Sequence, residues 1–89
     1  MPTISAPDDV RAANRLTALR KVSGLPRETF LHRCQADPIT PVTQGSVGWL
    51  AKVERGQTAF PWHYVETFAR ALDCHPDEIR LPWVTRRQP

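Results

Sequence analysis

The chain has 89 residues, which is enough for one compact domain with a modest core. Its 12 Lys and Arg residues outnumber its 9 Asp and Glu residues, and the formal charge of +3 favours an acidic partner without proving one. No apolar run approaches the roughly 20 residues that a bilayer span needs, and the N-terminus has no secretory segment, so we expect a cytoplasmic protein. Cys34 and Cys74 stand far apart in the sequence and are expected to be reduced thiols.

Two helices are predicted after a flexible N-terminal arm of residues 1–7. Apolar residues recur every three positions from residue 8 to residue 22, which indicates a first helix that ends before Gly24. Pro26 suits a first helical position, and the second helix is predicted over residues 26–35.

A long turn and a third helix follow. Residues 36–41 cannot continue the second helix, because two prolines in this segment remove backbone donors and restrict their neighbours. The third helix is predicted over residues 46–55, with Ser46 as its N-cap and Gly56 as its C-cap. A start at Thr40 is the alternative, but it would place two glycines inside the helix.

Two more helices complete the predicted domain of residues 8–81. The fourth begins at residue 61 or 62 and reaches residue 73, with Val65, Phe68 and Leu72 on one face. The fifth has Pro76 at its first position and reaches about residue 81. We therefore predict an all-α fold, a compact bundle of five short helices, followed by a tail of residues 82–89.

Several short motifs of this sequence occur together, in the same order, in one protein family. In chain order they are Arg20 followed by Gly24-Leu25, the polar helix start Pro26-Arg27-Glu28-Thr29, Glu54-Arg55-Gly56 with Pro61 after it, Ala69 with Leu72, and Pro76-Asp77-Glu78. Over about residues 16–81 the chain resembles the lambda-repressor-like helix-turn-helix family, which contains the Cro and repressor proteins and the xenobiotic-response-element regulators. Each motif is weak alone, whereas the ordered set is specific.

The resemblance implies a transcriptional regulator of the phage or bacterial repressor type, which binds double-stranded DNA sequence-specifically as a homodimer. In this family the third helix enters the major groove and reads base edges. The predicted base contacts are Gln44, Ser46, Val47, Trp49 and Lys52. The predicted phosphate contacts are Arg27, Arg55, Gln57 and Thr58. The resemblance also implies a structural ion pair between Arg20 and Glu54.

Two features differ from the family pattern. The turn between the second and third helices is lengthened by residues 37–45, where Ile39 or Val42 is expected to supply the apolar anchor. The third helix also lacks the Gln, Asn and Arg residues that usually read bases, and Trp49 could pack against the domain instead of touching DNA. A protein-interaction module, or an antitoxin or phage accessory protein with the same fold, is therefore the alternative function.

No catalytic or metal site is predicted. The residues that could ligate zinc are His32, Cys34, His63, Cys74 and His75. Their spacing brings no two of them together on one helix face, and no nucleophile, base and acid can be combined. We therefore expect neither an enzyme nor a cofactor. The apolar residues of segment 81–84 either contact a second copy of the chain or fold back on the domain.

Overall fold

The computed structural model describes residues 7–43 and 45–80, and every regular element in these ranges is helical. The five helices are α1 (Pro7–Val22), α2 (Arg27–Gln35), α3 (Val47–Glu54), α4 (Val65–Leu72) and α5 (Asp77–Arg80), and a 3₁₀ turn (Trp62–Tyr64) precedes α4. The predicted all-α class with five short helices is confirmed. Residues 1–6 and 81–89, and with them most of the predicted arm and the apolar segment 81–84, lie outside the described residues.

The ends of α3 follow from local backbone chemistry. The Ser46 hydroxyl accepts a hydrogen bond from the Trp49 N–H at 3.2 Å, as expected of an N-cap. At the other end Gly56 adopts a φ of +70°, which glycine tolerates because it has no Cβ. There the N–H groups of Gly56 and Gln57 bond the carbonyls of Val53 and Lys52, respectively. The predicted N-cap Ser46 is confirmed, whereas the C-cap is Arg55, one residue before the predicted Gly56.

Other helix starts also differ from the predictions, by one residue for α1, α2 and α5 and by three or four residues for α4. Helix α1 begins at Pro7 and not at residue 8. Pro26 precedes α2 as its N-cap and is not its first residue, because its ψ of 156° is extended and not helical. Trp62 begins the 3₁₀ turn, so regular α-helical structure starts only at Val65.

The core is formed by all five helices. Helix α1 contacts α3, α4 and α5, and α2 contacts α3 and α4. The largest fully buried apolar side chains are Leu16 of α1, Phe30 of α2, Leu50 and Val53 of α3, Val65 and Phe68 of α4, and Ile79 of α5. This packing fixes the orientation of α3 and leaves its opposite face in solvent.

The lengthened turn, residues 37–45, is called the insert below. Val42 of the insert is buried, and its N–H donates to the Cys34 carbonyl at 3.1 Å. Ile39 is 70% exposed. Of the two apolar anchors considered, Val42 is therefore the one that the fold uses.

Candidate nucleic-acid interface

The outward face of α3 lies opposite its buried residues. Gly48 and Lys52 are exposed and four positions apart, so they lie on one side of the helix. Val47 is exposed as well, and Arg55 is exposed at the C-terminal end of the helix. The prediction that Val47 and Lys52 contact bases stays a prediction, and their exposure leaves both side chains accessible to a ligand.

The other predicted base-contacting residues have different surroundings. Gln44 lies outside the described residues. The Ser46 oxygen already caps α3, which leaves its hydroxyl hydrogen to donate. Trp49 is half-buried, and its ring meets the ring of Tyr64 edge-on, with the centroids 6.3 Å apart. Much of the Trp49 ring is therefore engaged in packing within the domain.

A buried ion pair links the C-terminal ends of α1 and α3. Arg20 donates from Nε to Glu54 Oε2 at 2.6 Å and from Nη2 to Glu54 Oε1 at 3.0 Å. Its Nη1 donates to the Leu25 carbonyl at 2.9 Å, so all three nitrogens of the guanidinium are used. The Glu54 side chain is only 1% exposed. This bidentate geometry fixes the end of α3 relative to α1.

The same carboxylate binds a second arginine. Arg27, the first residue of α2, donates from Nε to Glu54 Oε1 at 2.9 Å. Its side chain is 32% exposed, so it reaches from a buried carboxylate to solvent. We call the set of Arg20, Arg27 and Glu54 the Glu54 joint. It connects three helices, and it contains two cations for one anion.

The predicted phosphate contacts after α3 lie on a loop that is held at its far end. Gln57 is exposed and Thr58 is half-buried. Further along, Asp9 of α1 accepts from the Phe60 N–H at 3.2 Å and from Trp62 Nε1 at 2.8 Å. The loop is thus fixed to the first turn of α1, and its contacts to phosphate remain predictions.

A second buried carboxylate attaches the insert to α4. Asp37 accepts from Arg70 Nε and Arg70 Nη2, both at 2.8 Å, and from the N–H groups of Ile39 and Thr40 at 3.1 and 2.8 Å. The Thr67 hydroxyl donates to the Thr40 carbonyl at 2.5 Å. We call Asp37 and Arg70 the Asp37 clamp. It holds the insert on α4 shortly before α3 begins.

Two acidic side chains at and beside the clamp, Asp37 and Cys34, have shifted pKa values. The guanidinium of Arg70 and then the Thr40 N–H stabilise the charged form of Asp37, so the pKa of this carboxyl is well below its usual range. Burial, and secondarily the negative charge of Asp37, raises the pKa of the Cys34 thiol to about 12. Cys34 is therefore a protonated core side chain and not a nucleophile.

An open groove of about 460 Å³ lies between α2 and α3. Its lining residues are Glu28, Thr29, Leu31, His32, Gln35, Ser46 and Val47. The groove borders the exposed start of α3, so polar side chains of α2 lie beside the predicted base-contacting residues.

The described residues offer little for other chemistry. Within residues 7–43 and 45–80, no three His, Cys, Asp or Glu side chains come together as metal ligands would. None of the helices in this part of the chain combines the length and apolar character that crossing a membrane requires.

Two features of the site were not found from the sequence. One is the second arginine on Glu54, and the other is the pairing of Asp37 with Arg70. A weak signal existed for the insert, because Asp before a proline favours a turn in which the carboxylate accepts from following N–H groups. Nothing local pointed to Arg70, which lies 33 residues away.

Comparison with known proteins gives one structural relative. No protein-family model matches the sequence, and no curated protein matches it. The crystal structure of the restriction-modification controller protein C.AhdI from Aeromonas hydrophila does match, with a TM-score of 0.64 and 30% sequence identity. The match covers 83% of this chain and 98% of that chain. The chain therefore belongs to the same family as this controller protein, the helix-turn-helix proteins of the Cro and repressor type.

Proposed function

We propose that this protein is a transcriptional regulator that binds double-stranded DNA sequence-specifically, with α3 in the major groove. The observation that carries the proposal is the arrangement of α3. Its outward face, with Gly48 and Lys52, is exposed, and Val47 is exposed at the helix start, while the C-terminal end is fixed by the buried pair of Arg20 and Glu54. A helix that reads base edges needs an open face and a fixed angle, because each base contact depends on side-chain position.

The proposed contacts fall into two groups. Lys52 would bind guanine or phosphate and Val47 a thymine methyl group, with Gln44 and Ser46 as further polar contacts. Arg27, Arg55, Gln57 and Thr58 would bind phosphates and set the register. Trp49 is the weakest candidate, because its ring packs on Tyr64.

The structural relative suggests a more specific role. The name of C.AhdI describes a controller of restriction and modification. By analogy, we propose that this chain controls the genes of a restriction-modification system as a homodimer on two half-sites. One recognition helix covers only a few base pairs, so two copies about one helical turn apart supply the remaining affinity.

A salt titration of DNA binding tests the proposal. Fluorescence anisotropy would measure the affinity of the wild type, Lys52→Ala and Arg55→Ala for a labelled random duplex and for duplexes from upstream of neighbouring genes. We expect steep salt dependence and weaker binding by both variants. Arg33→Ala is the matched control. It also removes one positive charge, but from a side chain that contacts α4, where Arg33 Nη1 donates to the Ala71 carbonyl at 3.4 Å.

The alternative is a protein-interaction module with the same fold. The exposed Val47 favours it, since an apolar side chain that lines the open groove between α2 and α3 suits a protein surface. If wild type and both variants show the same weak, salt-insensitive retention on every duplex, the DNA-binding proposal is wrong and this module replaces it.

A further inference from the structure

We propose that Glu54 is a positioning residue for a phosphate clamp: it holds Arg27 by Nε so that the two Nη amino groups of Arg27 bind one DNA phosphate. This inference rests on the proposed function and deepens it. In this proposal Glu54 has two roles: it fixes the angle of α3 through Arg20, and it positions the phosphate-binding side chain of Arg27.

The two arginines of the Glu54 joint differ in how many guanidinium nitrogens are hydrogen-bonded. Every guanidinium nitrogen of Arg20 already has a partner, because Nε and Nη2 bind Glu54 and Nη1 binds the Leu25 carbonyl. Among the described residues, the hydrogen bond of Arg27 uses Nε alone, so its Nη groups are available to a ligand. At 32% exposure, the Arg27 side chain reaches solvent from its anchored Nε.

The charges of the joint point to an anionic ligand. Arg20 and Arg27 carry two positive charges, and Glu54 carries one negative charge, which leaves one positive charge in excess. Arg20 is buried, so the excess charge is presented to solvent by Arg27. A guanidinium offers two parallel N–H donors to phosphate oxygens, and DNA presents such oxygens at regular intervals.

Holding Arg27 in advance should increase affinity. A free arginine loses side-chain conformational entropy when it binds a phosphate, whereas Arg27 is already fixed by Glu54. A lysine at this position keeps the charge. Its single ammonium group can bind Glu54 or the phosphate, but it lacks the planar guanidinium that binds both at once. The structure therefore predicts that charge alone does not replace Arg27.

The test uses the full chain and a labelled random-sequence duplex, with the salt dependence of affinity measured for Arg27→Gln, Arg27→Lys and the control Arg33→Gln. These variants leave Arg20 on Glu54, so the domain stays folded. Arg27→Gln should lower the steepness of the log–log salt plot by about 0.9, the value for one phosphate contact. Arg27→Lys should keep the wild-type steepness and bind roughly two- to tenfold more weakly. Arg33→Gln should keep the wild-type steepness and affinity.

Each failure has a different meaning. If Arg27→Gln keeps the wild-type steepness, or if Arg33→Gln lowers it equally, Arg27 is not a phosphate clamp. If Arg27→Lys binds as tightly as wild type, positioning by Glu54 is wrong, although the phosphate contact stands. If the wild type shows no salt-dependent binding at all, the proposed function itself fails, and that result is distinct from the other two.

Discussion

One buried carboxylate lies at the C-terminal end of α3 and another lies in the insert that precedes α3, and their surroundings differ. Glu54, at the C-terminal end, is enclosed and binds two arginines, one of them buried. Asp37 lies in the insert that leads to the N-terminal end, and its partner Arg70 is 35% exposed. Asp37 also accepts from two backbone N–H groups of its own loop. One carboxylate joins helices, whereas the other shapes a loop and attaches it to α4.

This difference separates two ways of fixing the position of α3. At the Glu54 joint, removal of the carboxylate would leave buried Arg20 without its anion, so the free energy of unfolding of the whole domain would fall. At the Asp37 clamp, Arg70 would be hydrated after loss of Asp37, so the insert would be destabilised more than the rest of the domain. The C-terminal joint therefore serves global stability, and the clamp serves the placement of the helix start.

The largest effect is expected for Glu54→Ala. Breaking a buried ion pair by removing one partner costs about 3–5 kcal/mol, because a buried charge is left uncompensated. Urea denaturation followed by circular dichroism would measure the loss in the free energy of unfolding. The matched control is Glu66→Ala, whose carboxylate makes an exposed 3.7 Å pair with Arg80 and should contribute less than about 1 kcal/mol. Equal losses for the two variants would contradict the buried joint.

A smaller loss is expected for Asp37→Ala. The variant removes two charge-assisted bonds from Arg70 and two loop N–H bonds, but it leaves Arg70 accessible to water. Hydrogen exchange should show faster exchange at the amides of Ile39 and Thr40, with a modest shift of the urea midpoint. Asp77→Ala, at the solvent-accessible pair of Asp77 and Arg80 within α5, is the control. A loss as large as that of Glu54→Ala would show that the clamp stabilises the whole fold.

The clamp also predicts a pH dependence. The folded pKa of Asp37 is below its unfolded value of about 3.9, so its stabilisation is complete above that value. It is lost as the pH falls toward the folded pKa, because the unfolded state then binds the proton more readily. Unfolding free energies of wild type and Asp37→Asn, measured between about pH 7 and about pH 3, should converge on acidification. A constant difference down to about pH 3 would contradict a lowered pKa.

The same comparison shows what the sequence can reveal. Ser46 and Gly56 mark the ends of α3 because capping depends on residues within one helical turn, so both positions were predictable. The association of Arg20 with Glu54 came from the family resemblance and not from a local rule. The pairing of Asp37 with Arg70 joins residues that are 33 positions apart, and no local rule or periodic pattern indicates it.

The insert shows a further limit. Ile39 and Val42 are both apolar and lie between prolines or next to one, so no period distinguishes the buried residue from the exposed one. The structure buries Val42, because its N–H bonds the Cys34 carbonyl, and the loop turns Ile39 outward. Which residue faces the core is thus decided by loop geometry that Asp37 sets through its N–H bonds.

The smallest expected effects concern Gly45 and Gly48, which lie on either side of the N-cap Ser46. They test the packing at the N-terminal end of α3. Gly48 lies inside α3, and a Cβ there would meet only Ser46 Oγ at 3.6 Å, so Gly48→Ala should stabilise the fold by about 0.5–1 kcal/mol. Gly45 has a φ of +129°, and a Cβ there would lie 2.8 Å from Trp49 Cε3, so Gly45→Ala should destabilise it by about 1–3 kcal/mol.

The two variants add the same methyl group three residues apart, so each is the control for the other. Thermal unfolding should place their midpoints on opposite sides of the wild type. Tryptophan fluorescence should change in Gly45→Ala, because the ring of Trp49 must move away from the new methyl group. If Gly45→Ala unfolds at or above the wild-type midpoint, the close approach of Gly45 to Trp49 does not hold. The N-terminal end of α3 would then depend on the Asp37 clamp without support from this packing.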